Sequence, residues 1–595
     1  MSHLVSVWAP FAERVDLVML PDAQAAGSGN PLESGSLETF PAEAVGAGWW
    51  RAKTPLDPRE APYAFRLDGG DPLPDPRSQR QLWGVHGPSL QIDHGNYAWS
   101  DAGFQQRPLS AAIIYEAHVG TFSSEGSFAG MAGHLDYLVE LGVSHLELMP
   151  VATFSGVRGW GYDGVDLYAP HEAYGGPEGL KRLVDACHAR GLAVVLDVVY
   201  NHLGPEGNYL GQFGPYFTGA YETPWGDAVN LDGPDSGEVR RFFIDNALMW
   251  FRDYHVDALR IDAVHAFYDH SAVHFLEELA EEVHALEARL GRRLLLIAES
   301  DLNDPRVVTP REAGGFGIDA QWSDDFHHSL HAAFTGEGKG YYGDFGSLRD
   351  ISRALEETFV YAGEYAPSRR RAHGRSAVTL PQDRFLGYHQ NHDQVGNRAV
   401  GERLSHLIDP DLYRISAGLV LLSPFVPMLF QGEEWATSAP FQYFTDHGDP
   451  ELGKAVSEGR RGEFGDFGWK PEDVPDPQAL ETFRRSALPW EEISGAEHGA
   501  VLEWYRSLIR LRLREGDLAA GVCRPEVTLR GQGADEAVLI VRRGSIVIAA
   551  NLAFAPERVA EPPVKELLLA SREGARIEGE GLLVPGRCLA VARIA

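Results

Sequence analysis

The sequence predicts an α/β protein: a TIM (β/α)8 barrel with an N-terminal β-sandwich domain before it and a C-terminal β-sheet domain after it. Three observations predict it. At 595 residues the chain is too long for one hydrophobic core. Its central part holds eight strand candidates separated by helical patterns. Its two ends instead alternate short apolar runs with turn-rich segments. The expected divisions are 1–95, 96–517 and 518–595.

Taken in order, LVSVWAP, RVDLVML and YAFRLDG read as strands of the sandwich, with GSGNPLESGS as a loop between them. From Ile113 the texture changes. Strands are expected to start near Ile113, His145, Ala193, Val256, Leu294, Ala320, Arg384 and Val426. Most are near-continuous apolar runs, as strands covered on both faces are. Between the first two, SFAGMAGHLDYLVELG places Phe128, Met131, Leu135, Leu138 and Val139 at helical spacing, with Gly142 as the stop. GPEGLKRLVDACHARG puts Leu180, Leu183, Val184 and Cys187 on one helical face and ends at Gly191. LEWYRSLIRLRL, from Leu502, supplies the closing amphipathic helix. AVLIVRR, SIVIAANL and LLVPGRCLAVARIA then return to short strands.

Composition narrows the function. The net charge of −33 repels phosphate backbones and anionic lipid surfaces, which argues against nucleic-acid and membrane partners. Cys187, Cys523 and Cys588 are scattered, form no metal-ligand spacing, and read as reduced thiols of a cytoplasmic protein. The start, MSHLVSVWAPF, does not read as a signal peptide. A monomer handling a neutral ligand is the expectation.

The strand ends carry the chemistry. Barrel enzymes act where strands end and βα loops begin. LAVVLDVV runs into Asp197, Asn201 and His202; VDALRID ends with Arg260 and Asp262; LLLIAES with Glu299; DAQWSDDFHH with Asp324 and His327; GYHQNHD with His392 and Asp393. Caps explain one such residue, not five rims at once. Carboxylates without an activated serine or cysteine suit glycoside hydrolysis, in which one carboxylate attacks and another delivers a proton. Arg260, two residues before Asp262 on the same strand face, should keep that carboxylate ionised as the nucleophile. Glu299 follows five apolar residues, so desolvation and neighbouring carboxylates should raise its pKa and make it the acid. Asp393 remains to hold sugar hydroxyls. A retaining pair would sit roughly 5–5.5 Å apart. The aromatic-rich loops at 155–176 and 204–234 offer ring faces for pyranose C–H surfaces.

No metal or cofactor is expected. GEGKG lacks the spacing of a phosphate loop, HEAYG has no second zinc-spaced histidine, and no calcium loop stands near Asp197. His327, His328 and His331 fall in a stretch already needed at the rim.

DVVYNH, ALRIDAVH, IAES and QNHD, in that order at successive strand ends, resemble the four signature regions of the α-amylase family of glycoside hydrolases. The resemblance implies Asp262 as nucleophile, Glu299 as proton donor and Asp393 as transition-state stabiliser. It implies that His202, Arg260 and His392 line the subsite of the attacked glucose, with Asp197 supporting the rim and Tyr162 and Asp163 of GWGYDGV beside it. The opening SVWAPFAERVDLVML is similar to the carbohydrate-binding-module-like N-terminal domains of branching and debranching members. YEAHVGTFSSEGSF, MPVATFSGVRGWGYDGV, TPWGDAVNLDGP, AESDLNDPR and QWSDDFHHSLH resemble the maltooligosyltrehalose trehalohydrolase subgroup. That subgroup cuts the α-1,4 bond next to a terminal trehalose in maltooligosyl trehalose and related α-glucans, releasing trehalose. Its pattern implies substrate contacts from Asp324, Asp325, Phe326, His327 and His328, and from His392, Gln394 and Asn397. His265 joins the candidate binding residues, although many amylases carry Lys-His where this chain has His265-Ala266. The alternative reading is a glycogen branching enzyme transferring α-1,4 glucan to an α-1,6 position.

Overall fold

Residues 2–21, 30–34, 36–465, 470–531, 537–560 and 562–594 are described by a computed structural model. Eight parallel strands close into a barrel in chain order: β1 (Ile114–Ala117), β2 (His145–Leu148), β3 (Ala193–Val198), β4 (Ala258–Ile261), β5 (Leu295–Ala298), β6 (Ala320–Trp322), β7 (Phe385–Gly387) and β8 (Val426–Phe430). Each of the eight expected strands is found at its expected place.

Because side chains alternate across a strand, one set from each strand points into the barrel. Ile114, Val195, Ala258, Leu295, Ile297, Ala320, Trp322, Leu386, Tyr388, Val426 and Met428 fill it as one buried cluster. This is a packed core, not a pore. The other set, including Tyr115, Leu146, Leu196, Leu259 and Leu296, faces the surrounding helices. Each fully buried aliphatic side chain contributes about 1.5–3 kcal/mol. The same alternation carries the chain from apolar to polar residues along one inward face: Ile114 to Glu116, Val195 to Asp197, Ala258 to Arg260 and Asp262, Ile297 to Glu299. A polar layer therefore tops the apolar plug.

The helices of seven residues or more between strands are α1 (Leu135–Leu141), α2 (Gly176–His188), α3 (Ser236–Asp253), α4 (Phe275–Leu290), α5 (Asp324–Thr335), α6 (Leu348–Glu357) and α7 (Pro410–Leu421); α8 (Ala496–Arg514) follows β8, and a short helix, His392–Gly396, follows β7. In α2, Pro177 occupies the first turn, where its missing N–H costs nothing. Leu180, Leu183, Val184 and Cys187 are buried there, as expected. The single helix expected over Phe128–Val139 is instead two, Phe128–Ala132 and α1, separated at Gly133 and His134. The restart turns the inward face to Leu135, Leu138 and Leu141 and leaves Val139 41 % exposed. Between β5 and β6 the chain forms only a 3-10 turn, Arg311–Ala313.

The N-terminal strands pair as an antiparallel six-stranded sheet that folds over itself at Glu38–Gly46. That strand pairs with Val15–Met19 through residues 38–41 and with Trp49–Thr54 through residues 42–46. Part of the expected loop GSGNPLESGS (27–29 and 35) lies outside the described residues; Pro31–Ser34 forms one helical turn. The C-terminal strands form a five-stranded and a three-stranded antiparallel sheet. Two buried arginines converge on the end of α7, one from the barrel's own helix and one, Arg543, from the C-terminal sheet. Arg512 of α8 donates to the carbonyls of Leu421, Ser423 and Phe425, and Arg543 to those of Leu422, Ser423, Leu518 and Ala519. They satisfy carbonyls that the end of α7 leaves free. We propose that the units divide near residues 95 and 517, in the segments joining these sheets to the barrel.

Candidate active site

Arg260 is the centre of the polar layer. Its side chain is fully buried at the inner end of β4, with the guanidinium carbon 4.1 Å from the Trp322 ring centroid. Nη1 reaches Asp197 at 2.8 Å and Asp262 at 2.9 Å, while Nη2 lies 2.7 Å from Glu299 Oε2. One cation thus ties together carboxylates from β3, β4 and β5. Removing such a cation leaves several uncompensated buried charges, which is far costlier than the pair is stabilising.

The two carboxylates expected to react are held differently. Asp262 is gripped on both oxygens, Oδ1 by Arg260 and Oδ2 by the Asn201 amide at 2.6 Å. Glu299 meets both partners on Oε2, the Arg260 guanidinium as an ion pair and the Ala263 backbone N–H as a hydrogen bond of 2.8 Å. That leaves Oε1 for a proton. Burial pushes the Glu299 carboxyl above its usual range; Arg260 opposes the rise and the charge of Asp262 adds to it. The direction is the one its apolar strand predicts. Ala263 has left-handed backbone angles, φ 39° and ψ 54°, rare for a residue with a Cβ. This turn aims its N–H at Glu299 immediately after Asp262, strain of the kind found at working sites.

A second group faces them. The Tyr162 hydroxyl donates to Asp197 Oδ2 at 2.6 Å and lies 2.7 Å from His392 Nε2, its ring stacked on the imidazole. The preceding residue, Gly161, passes so close to the main chain after β2 that a Cβ there would stand 2.1 Å from the Pro150 carbonyl oxygen. Asp393, a third exposed, has an oxygen 3.5 Å from His392 Nε2. Burial pushes Asp197 up to about 7 against the pull of Arg260. His202 bonds to Asn201, stacks on Trp225 at 4.5 Å, and is lowered to about 4 by burial. Asp163 lies 4.0 Å from His447, and burial raises its pKa. Half-exposed Trp225 sits in the hairpin turn between Phe217–Thr223 and Gly226–Val229, where it offers a ring face. Other aromatics of the long loops, among them Trp160, Tyr168, Phe213 and Tyr216, are buried and anchor those loops.

The segment after β6 corrects part of the expectation. Asp324 opens α5 and accepts the Tyr388 hydroxyl at 2.5 Å; burial, then the charge of Glu299, drives its pKa upward. Asp325 turns away: it accepts Val360 N–H, Tyr361 N–H and the Asn303 amide, and so anchors the following loop. Phe326 and His327 are completely buried, Phe326 against Phe425 and His327 against Tyr388, so neither presents an atom to a sugar. His328 is covered by the exposed ring of Tyr341. Gln394 caps its own short helix through the Asn391 N–H. Asn397 is exposed at that helix's end and bonds back to Asp393. His265 lies partly exposed, 3.9 Å from Asp301.

Two interior residues escaped sequence reading: Glu116 of β1 and Glu147 of β2, register partners across their strands. The signal was the one that singled out Arg260, a lone charge inside a buried strand, here IYEA and HLEL. Asn201, which holds Asp262, was visible at its strand end without a role.

Residues 95–215 match the model of the alpha amylase catalytic domain. The malto-oligosyltrehalose trehalohydrolase of Arthrobacter ramosus is 47 % identical over 599 residues, covering all of both chains. The chain belongs to the malto-oligosyltrehalose trehalohydrolase family. Another trehalohydrolase, from Saccharolobus solfataricus, is 45 % identical over 84 % of this chain and 88 % of its own. Among solved structures, a protein described as a putative alpha amylase from Salmonella typhimurium is 36 % identical, with a TM-score of 0.88 over all of this chain and 98 % of its own. A pullulanase complexed with maltotetraose, from Anoxybacillus, shares the fold alone, at 17 % identity and a TM-score of 0.72 over all of this chain and 86 % of its own.

Proposed function

We propose that this trehalohydrolase-family chain is a retaining glycoside hydrolase that cleaves the α-1,4 bond adjacent to the terminal trehalose of maltooligosyl trehalose and releases trehalose. The observation that carries the reading is Arg260 holding Asp262 by one nitrogen and Glu299 by the other, in a cleft at the strand ends of the barrel. In this reading Asp262 attacks the anomeric carbon and forms a glycosyl ester, and Glu299 gives its proton to the departing trehalose oxygen. Glu299 then takes a proton from the water that opens the ester. Asp393 binds hydroxyls of the attacked ring and favours its distortion toward the oxocarbenium-like transition state. Tyr162, Asp163, His202 and His392 line that ring. We place the enzyme in the cytoplasm, where its three free thiols would stay reduced; among the described residues no helix is long and apolar enough to cross a membrane.

Incubation with maltooligosyl trehalose tests the reading. Trehalose and the shortened maltooligosaccharide are expected in equal amounts. Exclusive release of glucose or maltose would reject it, and so would iodine-silent branched product from amylose without new reducing ends.

A further inference from the structure

Glu116 and Glu147 point into the barrel beneath the cleft, each 1 % exposed. Their surroundings differ. Neither oxygen of Glu147 has a hydrogen-bond partner among the described residues. Glu116, by contrast, spends both oxygens on one residue: Oε1 bonds to His392 Nδ1, and Oε2 accepts the His392 backbone N–H at 3.1 Å. A carboxylate on β1 therefore grips the ring and the main chain of the residue that precedes Asp393.

That grip decides where the protons lie. Nδ1 faces a carboxylate and must carry a hydrogen to bond it. On the other side, the single hydroxyl hydrogen of Tyr162 goes to Asp197, which also accepts from Arg260. With Asp197 ionised, as it is at pH 8, the 2.7 Å contact between Tyr162 and His392 Nε2 then needs its hydrogen from Nε2. Both ring nitrogens are donors.

We propose that Glu116 is a positioning residue of this site, holding His392 as a doubly protonated donor whose Nε2–H orders Tyr162 and faces Asp393 beside the reacting sugar. The proposal rests on the functional reading above for that sugar. The groups around the imidazole are Glu116 from β1, Glu147 from β2, Asp197 from β3, Arg260 from β4, Tyr162 and Trp160 from the loop after β2, His118 after β1, Trp322 of β6, and Asp393 on its own helix. Burial and Arg260 push the imidazole toward neutrality; Asp393 and Glu116 outweigh them and lift its pKa to about 9. An ordered run of hydrogen bonds then leads from Glu116 through His392, Tyr162 and Asp197 to the guanidinium that holds Asp262 and Glu299.

The test combines imidazole ¹⁵N shifts, on histidine-labelled protein with His392 assigned by difference against His392→Asn, with rates of wild type and Glu116→Gln. In wild type at pH 8, both His392 nitrogens should show imidazolium shifts. In Glu116→Gln the titration midpoint should fall by about one pH unit or more. The ratio of variant to wild-type turnover, in which any limb from Glu299 cancels, should drop between pH 6 and pH 8, about twofold for a one-unit fall of the midpoint and about tenfold for a two-unit fall. A neutral His392 at pH 8 in wild type, or an unmoved midpoint together with a pH-independent ratio, overturns the proposal. The wild-type spectrum decides even where the variant does not fold. Absence of any turnover of maltooligosyl trehalose by wild type would instead reject the functional reading.

Discussion

At the residue scale, the division of labour between Asp262 and Glu299 comes from where each oxygen is spent. Arg260 and Asn201 hold both oxygens of Asp262, whereas the Arg260 ion pair and the Ala263 N–H both fall on Oε2 of Glu299. Glu299→Gln should therefore cost about 10²–10⁴-fold in turnover while leaving the thermal midpoint within a few degrees. The sign of the pH effect follows from the raised carboxyl. The acid form works, so the rate stays on its plateau above the ordinary glutamate range and falls as pH rises through the folded-state value. A pH–rate profile whose alkaline limb lies below the usual carboxylate range would contradict the assignment. The sequence already pointed to Arg260, Asp262 and Glu299, because a charge inside an apolar strand needs a reason. It did not expose the hydrogen-bond partners, since Asn201 reaches Asp262 across 61 positions.

At the element scale, periodicity carried most of the information. Eight apolar runs of strand length gave eight barrel strands, and period-two alternation put Arg260 and Asp262 on one face; the same alternation, unread for β1, also turns Glu116 inward. What alternation cannot show is where a helix turns its side chains. DDFHH looks like one rim, but α5 begins at Asp324, so only the first residue of the run meets the cleft side and Asp325, Phe326 and His327 rotate into loop anchor and core. Asp325→Ala should accordingly act as a loop mutation. It frees two backbone N–H groups and an amide of the 303 and 360 segments, at a cost of about 3 kcal/mol. Limited proteolysis should show faster cutting between residues 360 and 375. An unchanged cleavage pattern with a selectively raised KM would instead return Asp325 to the binding surface. Helix breaks were likewise hidden: Gly133 and His134 interrupt a pattern that spacing alone read as continuous.

At the scale of the whole molecule, the flanking sheets are fastened to the barrel by polar side chains that sequence patterns do not reveal. Arg77 reaches Asp245 on α3 and Arg80 reaches Glu172, while Arg543 fastens the C-terminal sheet to the end of α7. Arg543→Met keeps the volume but strands buried carbonyls, each worth about 1–3 kcal/mol. A lower thermal midpoint is expected with kcat unchanged at moderate temperature; equal losses in activity and stability would mean the C-terminal sheet shapes the cleft directly.

The most direct measurement is the configuration of the new reducing end, followed by ¹H NMR during the first minutes of maltooligosyl trehalose hydrolysis, before mutarotation. With Asp262 as nucleophile and Glu299 as acid, the α anomer appears first and β grows in later. Initial appearance of the β anomer would mean that water, not Asp262, attacks the sugar.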